Sequence, residues 1–590
     1  MRGISVLRWS YQVFWFFAGH ARYFSFSLVI PGISVLRRSY QVLLRDYFKW
    51  HQNKHKSISL RPCMKRKLKS MKLLSRPLLF VLLISGFSVS AQDYREKDFK
   101  MITEDALKAQ LGFLASDWTE GRETGERGAF LAADYIASML QLFGAKPAGD
   151  IVNVYDPATR SIQQQRSYFQ TFTLESINPG EEQDLSILTS GDGIERSISF
   201  DYLTDFRVNP NYPGGDIKAA VVFVGYGNEE DYKNEDVKDK FVLRLAGQAP
   251  GSGDENDPYS RYRLDREKDM IANEKGVAGI IETDPDESSI RWAEIKDFMN
   301  MSPSENRRYS SGQRLAIPRD KANSNPSKVI VSQRVANTIL SGTGLEIDDL
   351  VKGNEIRHGT IKNITIHLKT SVKSTQVKVR NVLGMIEGKN KDEIIVLGAH
   401  YDHIGMNAGY INNGADDNGS GTVGVVTLAR AIQALDEQPE KTIVFALWTG
   451  EEKGLLGSRY FVDNPTVPLK NIKANVNFDM ISRYVSDDQP NKVTMTYTAS
   501  KEFFKDITIK NLEMYGIEID PDYQASDNPP GGSDHRSFVS KGIPIMRFKP
   551  GHREEYHTPE DEVSTIDWDI MQKIVMLSFL NIMDMANTDW

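Results

Sequence analysis

From Gln376 to the C-terminus, short near-continuous apolar runs alternate with longer segments in which apolar residues recur at helical spacing. The runs EIIVLGAH, KTIVFALWTG, NVNFDM and GIPIMRF predict buried strands. GTVGVVTLARAIQAL and a segment from about Asp567 predict helices. Strands that alternate with helices are typical of an α/β sheet covered by helices on both faces. We therefore predict a mixed, mostly parallel sheet flanked by helices.

The preceding half of the chain has a different rhythm. Apolar positions between Thr103 and Phe143 fit two helices joined near residues 120–126. Farther on, AAVVFVGYG, DKFVLRLAG, GVAGIIET and KVIVS predict short strands among polar segments rich in Gly, Pro, Asp and Asn. We predict a β-rich domain inserted at residues 191–375. Residues 92–190 and 376–590 then form the first and main parts of the α/β domain.

The N-terminal region has features of a targeting segment. Residues 71–91 have a basic start, an apolar centre and small residues before Gln92. This layout predicts a signal peptide, and hence a secreted or periplasmic protein. The apolar centre is shorter than the roughly 20 residues that span a bilayer, so we expect no stable membrane span in the mature chain. Residues 1–70 contain a direct repeat of GISVLR, and we predict a leader there, either non-native or an N-terminal extension.

Charge is divided unequally along the chain. Residues 1–91 hold sixteen Lys or Arg and one acidic residue, Asp46, whereas the whole chain has a net charge of −7. Removing the +15 of the leader leaves −22 for residues 92–590. A chain this acidic repels phosphates, which argues against nucleic acid as a partner. The single cysteine, Cys63, also lies in the leader.

Acidic residues and histidines follow several of the predicted strands. Each alone is more often a helix cap or a solvated loop residue, but the carboxyl ends of such strands share one edge of the sheet. Charges gathered there repel one another unless a cation neutralises them. Imidazole and carboxylate without thiolate suit catalytic zinc, with cobalt or manganese as possible substitutes. The candidates are His400, Asp402, Asp416, Asp417, Glu451, Glu452, Asp479 and His557.

An ordered set of segments points to a known family. NVLGMIEG, GAHYDH, GADDNGSG, WTGEEKGLLGS, NFDMISR, SDHRSF and YHTPED occur across about residues 381–561. In this order they resemble the zinc metallopeptidases that include aminopeptidase Y, bacterial leucyl aminopeptidase and glutamate carboxypeptidase. The resemblance implies a phosphorylase/hydrolase-like core. The insert resembles a protease-associated domain by its pattern and position.

The resemblance also implies a metal site with two zinc ions per chain. A pair of zinc ions can polarise a scissile carbonyl and lower the pKa of a shared water. In the family, a cis peptide occurs at the position corresponding to Asp416–Asp417. The implied ligands are His400 and Asp479 for one ion, Glu452 and His557 for the other, and Asp416 as a bridge between them.

Three further residues receive roles from the resemblance. Glu451 is implied as the general base that takes a proton from the water and passes it to the leaving amine. Tyr556 is implied to stabilise the oxyanion. Asp402 is implied to accept the second N–H of His400 and so fix the tautomer that presents the other nitrogen to zinc.

Several activities remain open from the sequence. A free amine is attracted to an acidic site, which favours an aminopeptidase that acts on the N-terminal residues of peptides. A glutamate-type carboxypeptidase would need an arginine patch in the pocket. A glutaminyl cyclase works with one zinc, which fits the full ligand set poorly. A catalytically inactive, peptidase-like binding protein would be expected to lack some of the ligands or Glu451.

Overall fold

The computed structural model describes residues 101–590 except 192, 209–213, 249–259, 286–314, 319–326, 342, 352–357, 408, 487 and 552. The predicted leader and signal peptide, residues 1–91, lie outside the described residues. Within the described part, no helix is both long enough and apolar enough to cross a membrane.

The four predicted helices are present, two between Thr103 and Phe143, one from Gly421 and one from Trp568, and the structure contains further helices that were not predicted. Thr103 caps the first helix by accepting a hydrogen bond from the backbone of Ala106, and acidic residues fill the first turn, where the helix dipole favours them. The helices are α1 (Glu104–Leu114), α2 (Arg127–Leu142), α3 (Ser260–Glu274), α4 (Gln333–Leu340), α5 (Ile347–Val351), α6 (Gly421–Gln433), α7 (Leu456–Asp463), α8 (Phe503–Tyr515), α9 (His535–Val539) and α10 (Trp568–Asn587).

Most of the predicted strands form, and several others join them. The strands are β1 (Lys146–Pro147), β2 (Ile151–Asp156), β3 (Ser161–Arg166), β4 (Phe169–Gly191), β5 (Ile194–Phe200), β6 (Phe206–Val208), β7 (Gly215–Phe223), β8 (Phe241–Leu245), β9 (Gly279–Thr283), β10 (Leu315–Ala316), β11 (Ser327–Val331), β12 (Gly359–Ile386), β13 (Asn390–His400), β14 (Met406–Asn407), β15 (Tyr410–Ile411), β16 (Lys441–Trp448), β17 (Ile472–Phe478), β18 (Lys492–Tyr497), β19 (Asp520–Ala525) and β20 (Ile545–Phe548).

One mixed sheet contains most of these strands. Its order is β19-β18-β20-β17-β13-β16-β12-β7-β8-β9-β11-β6, with β1, β4, β5 and β10 attached beside that path. The run β20-β17-β13-β16 is parallel, and so is the run β7-β8-β9-β11. Antiparallel β12 stands between the two runs. The predicted α/β class with a mixed sheet is confirmed.

Helices cover both faces of the C-terminal half of the sheet. On one face, α1, α2, α6 and α10 share a hydrophobic core with β13, β16 and β17. On the other face, Trp448 of β16 packs against Phe461 of α7 and Phe538 of α9. Burial on both faces explains why β13, β16 and β17 are nearly continuous apolar runs.

The region that was predicted as an insert has a hydrophobic core of its own. This core gathers residues between Leu185 and Leu368, including β7, β8, β9, β11 and α4. Long strands β4 and β12, paired antiparallel, connect it to the helix-flanked half of the sheet. The structure therefore contains an additional strand-rich region. Its assignment as a protease-associated domain stays a prediction.

Candidate metal centre

The candidate residues follow the carboxyl ends of neighbouring strands. Parallel strands β17, β13 and β16 lie side by side. His400 is the last residue of β13, Asp479 directly follows β17, and Glu451 and Glu452 follow β16. Since parallel strands end at the same edge of a sheet, their terminal side chains lie close together. The structure brings these four residues to that edge.

A first group of possible metal ligands consists of His400, Glu451 and Asp479. Their donor atoms lie within 4.8 Å of one another. His400 Nε2 is 3.9 Å from Glu451 Oε2 and 4.0 Å from Asp479 Oδ1. His400 and Asp479 are buried, whereas Glu451 is partly exposed. The group is therefore accessible from the side of Glu451.

A second group contains His403, Asp417, Glu452 and His557, again within 4.8 Å of one another. His557 Nε2 lies 3.1 Å from Asp417 Oδ2 and 3.2 Å from Glu452 Oε2. On the buried side, His403 Nδ1 is 2.9 Å from Glu452 Oε1. His403 was not among the residues given a role from the sequence, although it ends the segment GAHYDH. His557 faces solvent, with 35% of its side chain exposed.

Asp417 lies between the two groups. Its Oδ1 is 3.5 Å from His400 Nε2 in the first group, and its Oδ2 is 3.1 Å from His557 Nε2 in the second. A carboxylate with one oxygen directed at each group has the geometry of a bridging ligand. The sequence prediction gave this position to the preceding residue, Asp416.

The carboxylate of Asp416 is directed elsewhere. Its Oδ1 accepts hydrogen bonds from the backbone N–H of Ser482 at 3.1 Å and from the Ser482 hydroxyl at 2.6 Å. Its Oδ2 is 3.9 Å from Arg483 Nε. Burial, reinforced by the charge of Asp561, raises the pKa of Asp416 to about 6. The structure therefore directs the carboxylate of Asp416 away from both donor groups, and it holds the segment that follows β17.

The turn that carries Asp416 and Asp417 is fixed by Asp561 and a glycine. The Asp561 carboxylate accepts the backbone N–H groups of Asp416 at 2.9 Å and Asp417 at 3.0 Å. Gly414 has φ 56°, and a side chain there would collide with the Asp417 carbonyl and the His403 ring. The cis peptide joins Asp417 to Asn418, one bond later than the resemblance implied.

The carboxylate of Asp402 does not accept the second N–H of His400 as the resemblance implied. His400 Nδ1 is 3.2 Å from the backbone oxygen of Asp402 but 3.9 Å from its carboxylate. That carboxylate accepts hydrogen bonds from the Thr124 hydroxyl at 2.7 Å and from the backbone N–H of Glu451 at 3.1 Å. Asp402 thus positions the loop that carries Glu451, and its main chain faces the His400 ring.

The two adjacent glutamates have opposite pKa shifts. Burial, partly offset by nearby His400, raises the pKa of Glu451 well above its usual value. Burial alone would also raise the pKa of Glu452, but hydrogen bonds from His403 and His557 hold that pKa well below its usual value. Separated pKa values within one site are typical of groups that divide proton transfer and charge stabilisation between them.

Tyr556 lies against the second group. Its ring stacks on the His557 ring, with a centroid distance of 3.8 Å and an interplanar angle of 22°. Burial, followed by the negative charge of Asp417 and Glu452, raises the pKa of Tyr556 far above its ordinary value. The hydroxyl therefore stays protonated and can donate a hydrogen bond.

Lys549 is a cation beside the first group that received no role from the sequence. It directly follows β20, and its Nζ is 3.4 Å from Asp479 Oδ2. Burial alone would lower the pKa of Lys549, but the carboxylate of Asp479 outweighs burial, and the net shift is upward. Burial alone would raise the pKa of Asp479, but the positive charges of Lys549 and His400 outweigh burial and lower that pKa to about 2. Both partners therefore carry charge.

Arg122 fixes the loops of the centre from behind. Its side chain is buried, and its guanidinium donates to the backbone oxygens of Leu114, Tyr401, Asn413 and Gly414 at 2.6–2.8 Å. These bonds connect the end of α1 to the loop after β13 and to the turn before Asp416. Burial is the main influence on the pKa of Arg122 and lowers it to about 10, so the side chain remains charged at neutral pH.

Replacing Arg122 with Met should lower the free energy of unfolding by about 3–5 kcal/mol, because buried carbonyl oxygens lose a charged donor. Urea denaturation of chelator-treated protein measures the effect without a contribution from metal binding. Arg459→Met, at an exposed position on α7, is the control and should change stability by less than about 0.5 kcal/mol. Equal stabilities of the two variants would contradict this role of Arg122.

The donor set fits metal ions. Asp417, Glu451, Glu452 and Asp479 place four carboxylates around three imidazoles, an arrangement that needs positive charge. Burial lowers the pKa of His557, but its hydrogen bonds to Asp417 and Glu452 outweigh burial and raise it to about 10. A metal ion could replace that proton as the positive partner of the carboxylates. Nitrogen and oxygen donors without sulfur are those of catalytic zinc sites.

Comparisons with known proteins agree with this chemistry. Residues 381–580 match Peptidase family M28. The chain is 31% identical over 186 residues to leucine aminopeptidase 2 of Trichophyton equinum, covering 30% of this chain and 35% of that protein. It is 30% identical over 222 residues to aminopeptidase YwaD of Bacillus subtilis, covering 36% of this chain and 45% of that protein.

The fold is similar to that of an aminopeptidase from Aneurinibacillus sp. strain AM-1, with a TM-score of 0.50 and 17% identity over 84% of this chain and 97% of that one. The family resemblance drawn from the sequence segments is confirmed, and so is the peptidase-like α/β fold. The chain spans less than half the length of the two curated relatives above.

Proposed function

Since residues 381–580 match Peptidase family M28, we propose that this protein is a di-zinc exopeptidase. Its activity is that of an aminopeptidase, which removes N-terminal residues from peptides. The observation that carries the proposal is the position of Asp417, whose two carboxylate oxygens face two separate groups of nitrogen and oxygen donors.

In this proposal, five side chains bind the two ions. The assignment follows the two groups, with the bridge moved from Asp416 to Asp417. His403 is fully buried and lies behind Glu452, where it orients that carboxylate. The residues that would hold the ions are His400 and Asp479 for one, Glu452 and His557 for the other, and Asp417 for both.

Two zinc ions held in this way would lower the pKa of a shared water and polarise the scissile carbonyl. Glu451 would take a proton from the attacking water and deliver it to the leaving amine. Its raised pKa supports this role, because a carboxyl group with a pKa closer to neutrality both accepts and returns a proton. The protonated Tyr556 hydroxyl donates a hydrogen bond to the oxygen that gains negative charge.

The charge of the site supports an aminopeptidase. Glu451 borders the accessible side of the first group, and its carboxylate can attract the free ammonium group of a peptide N-terminus. A carboxypeptidase would instead need cations that grip a terminal carboxylate. Secretion or export to the periplasm, directed by the predicted signal peptide at residues 71–91, would bring the enzyme to extracytoplasmic peptides.

The experiment compares free and blocked N-termini. The purified full chain, loaded with zinc, should hydrolyse aminoacyl-p-nitroanilides and the first bond of short peptides. N-acetylated versions should be cleaved at least about 100-fold more slowly, the effect expected when a site loses a charged partner that it binds directly. A chelator should abolish the activity, and added zinc should restore it.

Two results would contradict the proposal. Release of C-terminal residues from N-acetylated peptides would favour the glutamate-type carboxypeptidase. Zinc binding without hydrolysis of either free or blocked substrates would favour a catalytically inactive binding protein. Metal analysis of the same preparation tests the stoichiometry, for which two ions per chain are expected.

A further inference from the structure

Lys549 places a positive charge against the first donor group. Its charged neighbours are the carboxylates of Asp479, Asp417 and Glu451 and the guanidinium of Arg547, and the strongest of these interactions is the one with Asp479. Only 14% of its side chain is exposed. Its Nζ lies 3.4 Å from Asp479 Oδ2, so the ammonium group is held beside the first donor group.

Charge balance sets Lys549 apart from the metal ligands. The four carboxylates of Asp417, Glu451, Glu452 and Asp479 match the four positive charges of two zinc ions. Lys549 is not one of these ligands; with Arg547, it supplies positive charge beside Asp479, where the buried carboxylates Asp402 and Asp534 also act on the first group. A buried charge of this kind is stabilised by an anionic partner. A substrate can bring such a partner.

The hydrogen bonding of Lys549 leaves room for a ligand. Its ammonium has three donors, and within the described part of the chain its hydrogen bond is to Asp479 Oδ2 at 3.4 Å. This bond is long, and Asp479 Oδ1, on the His400 side, remains directed at the first metal position. One partner of Lys549 is thus a metal ligand, and its other donors can serve a second carboxylate.

We infer that Lys549 selects substrates whose N-terminal residue carries a carboxylate, so that the enzyme prefers aspartyl and glutamyl peptides. The inference rests on the proposed aminopeptidase function and names its substrate class. The substrate's free ammonium then faces Glu451 while its side-chain carboxylate pairs with Lys549. Two opposite charges on the substrate thus meet two opposite charges of the site.

The experiment uses substrates of nearly equal shape and different charge. Glutamyl- and glutaminyl-p-nitroanilide differ in one carboxylate, so the ratio of their kcat/KM values isolates the contribution of charge. Zinc-loaded wild type should prefer the glutamyl substrate by about 10- to 100-fold, the factor for one hydrogen bond to a charged group. Lys549→Met should reduce the ratio to about one or below, whereas Lys549→Arg should keep most of it.

The ratio separates selectivity from structural damage. If Lys549 only held Asp479 in place, Lys549→Met would lower both kcat/KM values equally and leave their ratio unchanged, which would overturn the inference. Lys541→Met is the control, because Lys541 pairs with Asp463 in an exposed salt bridge, and its ratio should equal that of wild type. Metal content is measured for every variant.

Wild type also tests the inference without any substitution. A glutamyl-to-glutaminyl ratio near one would overturn the role of Lys549 while leaving the aminopeptidase proposal intact. Failure to cleave every aminoacyl anilide, including leucyl-p-nitroanilide, would instead refute the aminopeptidase itself. The two failures are therefore distinguishable.

Discussion

Changing Glu451 to Gln should lower kcat by about 100- to 10,000-fold, the contribution typical of a general acid–base group. The amide keeps the size of the side chain but cannot take a proton from the water. Because Glu451 also faces the ammonium group of the substrate, KM for leucyl-p-nitroanilide should rise as well, whereas the fall in kcat reports the chemical step. Steady-state kinetics with zinc-loaded protein measures both constants.

Metal content separates this effect from loss of a ligand. Glu451 belongs to the first donor group, so zinc is measured in the same samples, and two ions per chain are expected in Glu451→Gln as in wild type. Glu513→Gln, at an exposed position of α8, is the matched control and should retain full activity. Zinc loss in parallel with activity would make Glu451 a ligand. Full activity of Glu451→Gln would exclude it as the base.

The location of the site was predictable because it depends on a simple rule of sheets. The apolar runs that end at His400 and Trp448 are buried on both faces, and such runs are recognisable without knowledge of the partner strands. Once both are placed in a parallel sheet, the residues after them must share an edge. The structure has this arrangement, with β13 between β16 and β17.

The long strands β4 and β12 were not predicted, because strands that face solvent lack the continuous apolar run that marks a buried strand. Much of β12 between residues 371 and 378 is exposed or half-buried, and its sequence SVKSTQVK is largely polar. Its pairing with β4 is held by a long backbone ladder, which leaves little signal in side-chain hydropathy. Strands whose side chains face solvent depend on tertiary pairing more than on their own composition.

Other parts of the site depend on contacts between distant segments. Arg122 precedes the loops that it anchors by roughly 280–290 residues, and an isolated arginine between two helices gives no indication of such partners. Lys549 directly follows an ordinary strand-forming segment, and its proximity to Asp479 follows from the pairing of β17 with β20. Sequence pattern alone does not reveal that pairing.

The choice between Asp416 and Asp417 depended on the direction of two neighbouring side chains. Both stand in GADDNGSG, and hydropathy cannot distinguish them because both are aspartates; both are also buried in the structure. The backbone bonds to Asp561 fix the turn so that the second carboxylate faces the histidines and the first faces Ser482. A shift of one residue therefore changes which acid can bridge two metal ions.

This difference makes Asp417→Asn and Asp416→Asn a matched pair. Asp417→Asn should weaken zinc binding by more than the roughly 10- to 100-fold typical of changes outside the ligand shell, and activity should fall below detection, because both ions lose a shared anionic ligand. Asp416→Asn keeps an oxygen that can accept from Ser482, and zinc affinity should remain within about tenfold of wild type. Competition with a chromogenic chelator measures the affinities. Zinc loss in Asp416→Asn with retention in Asp417→Asn would restore Asp416 as the bridge.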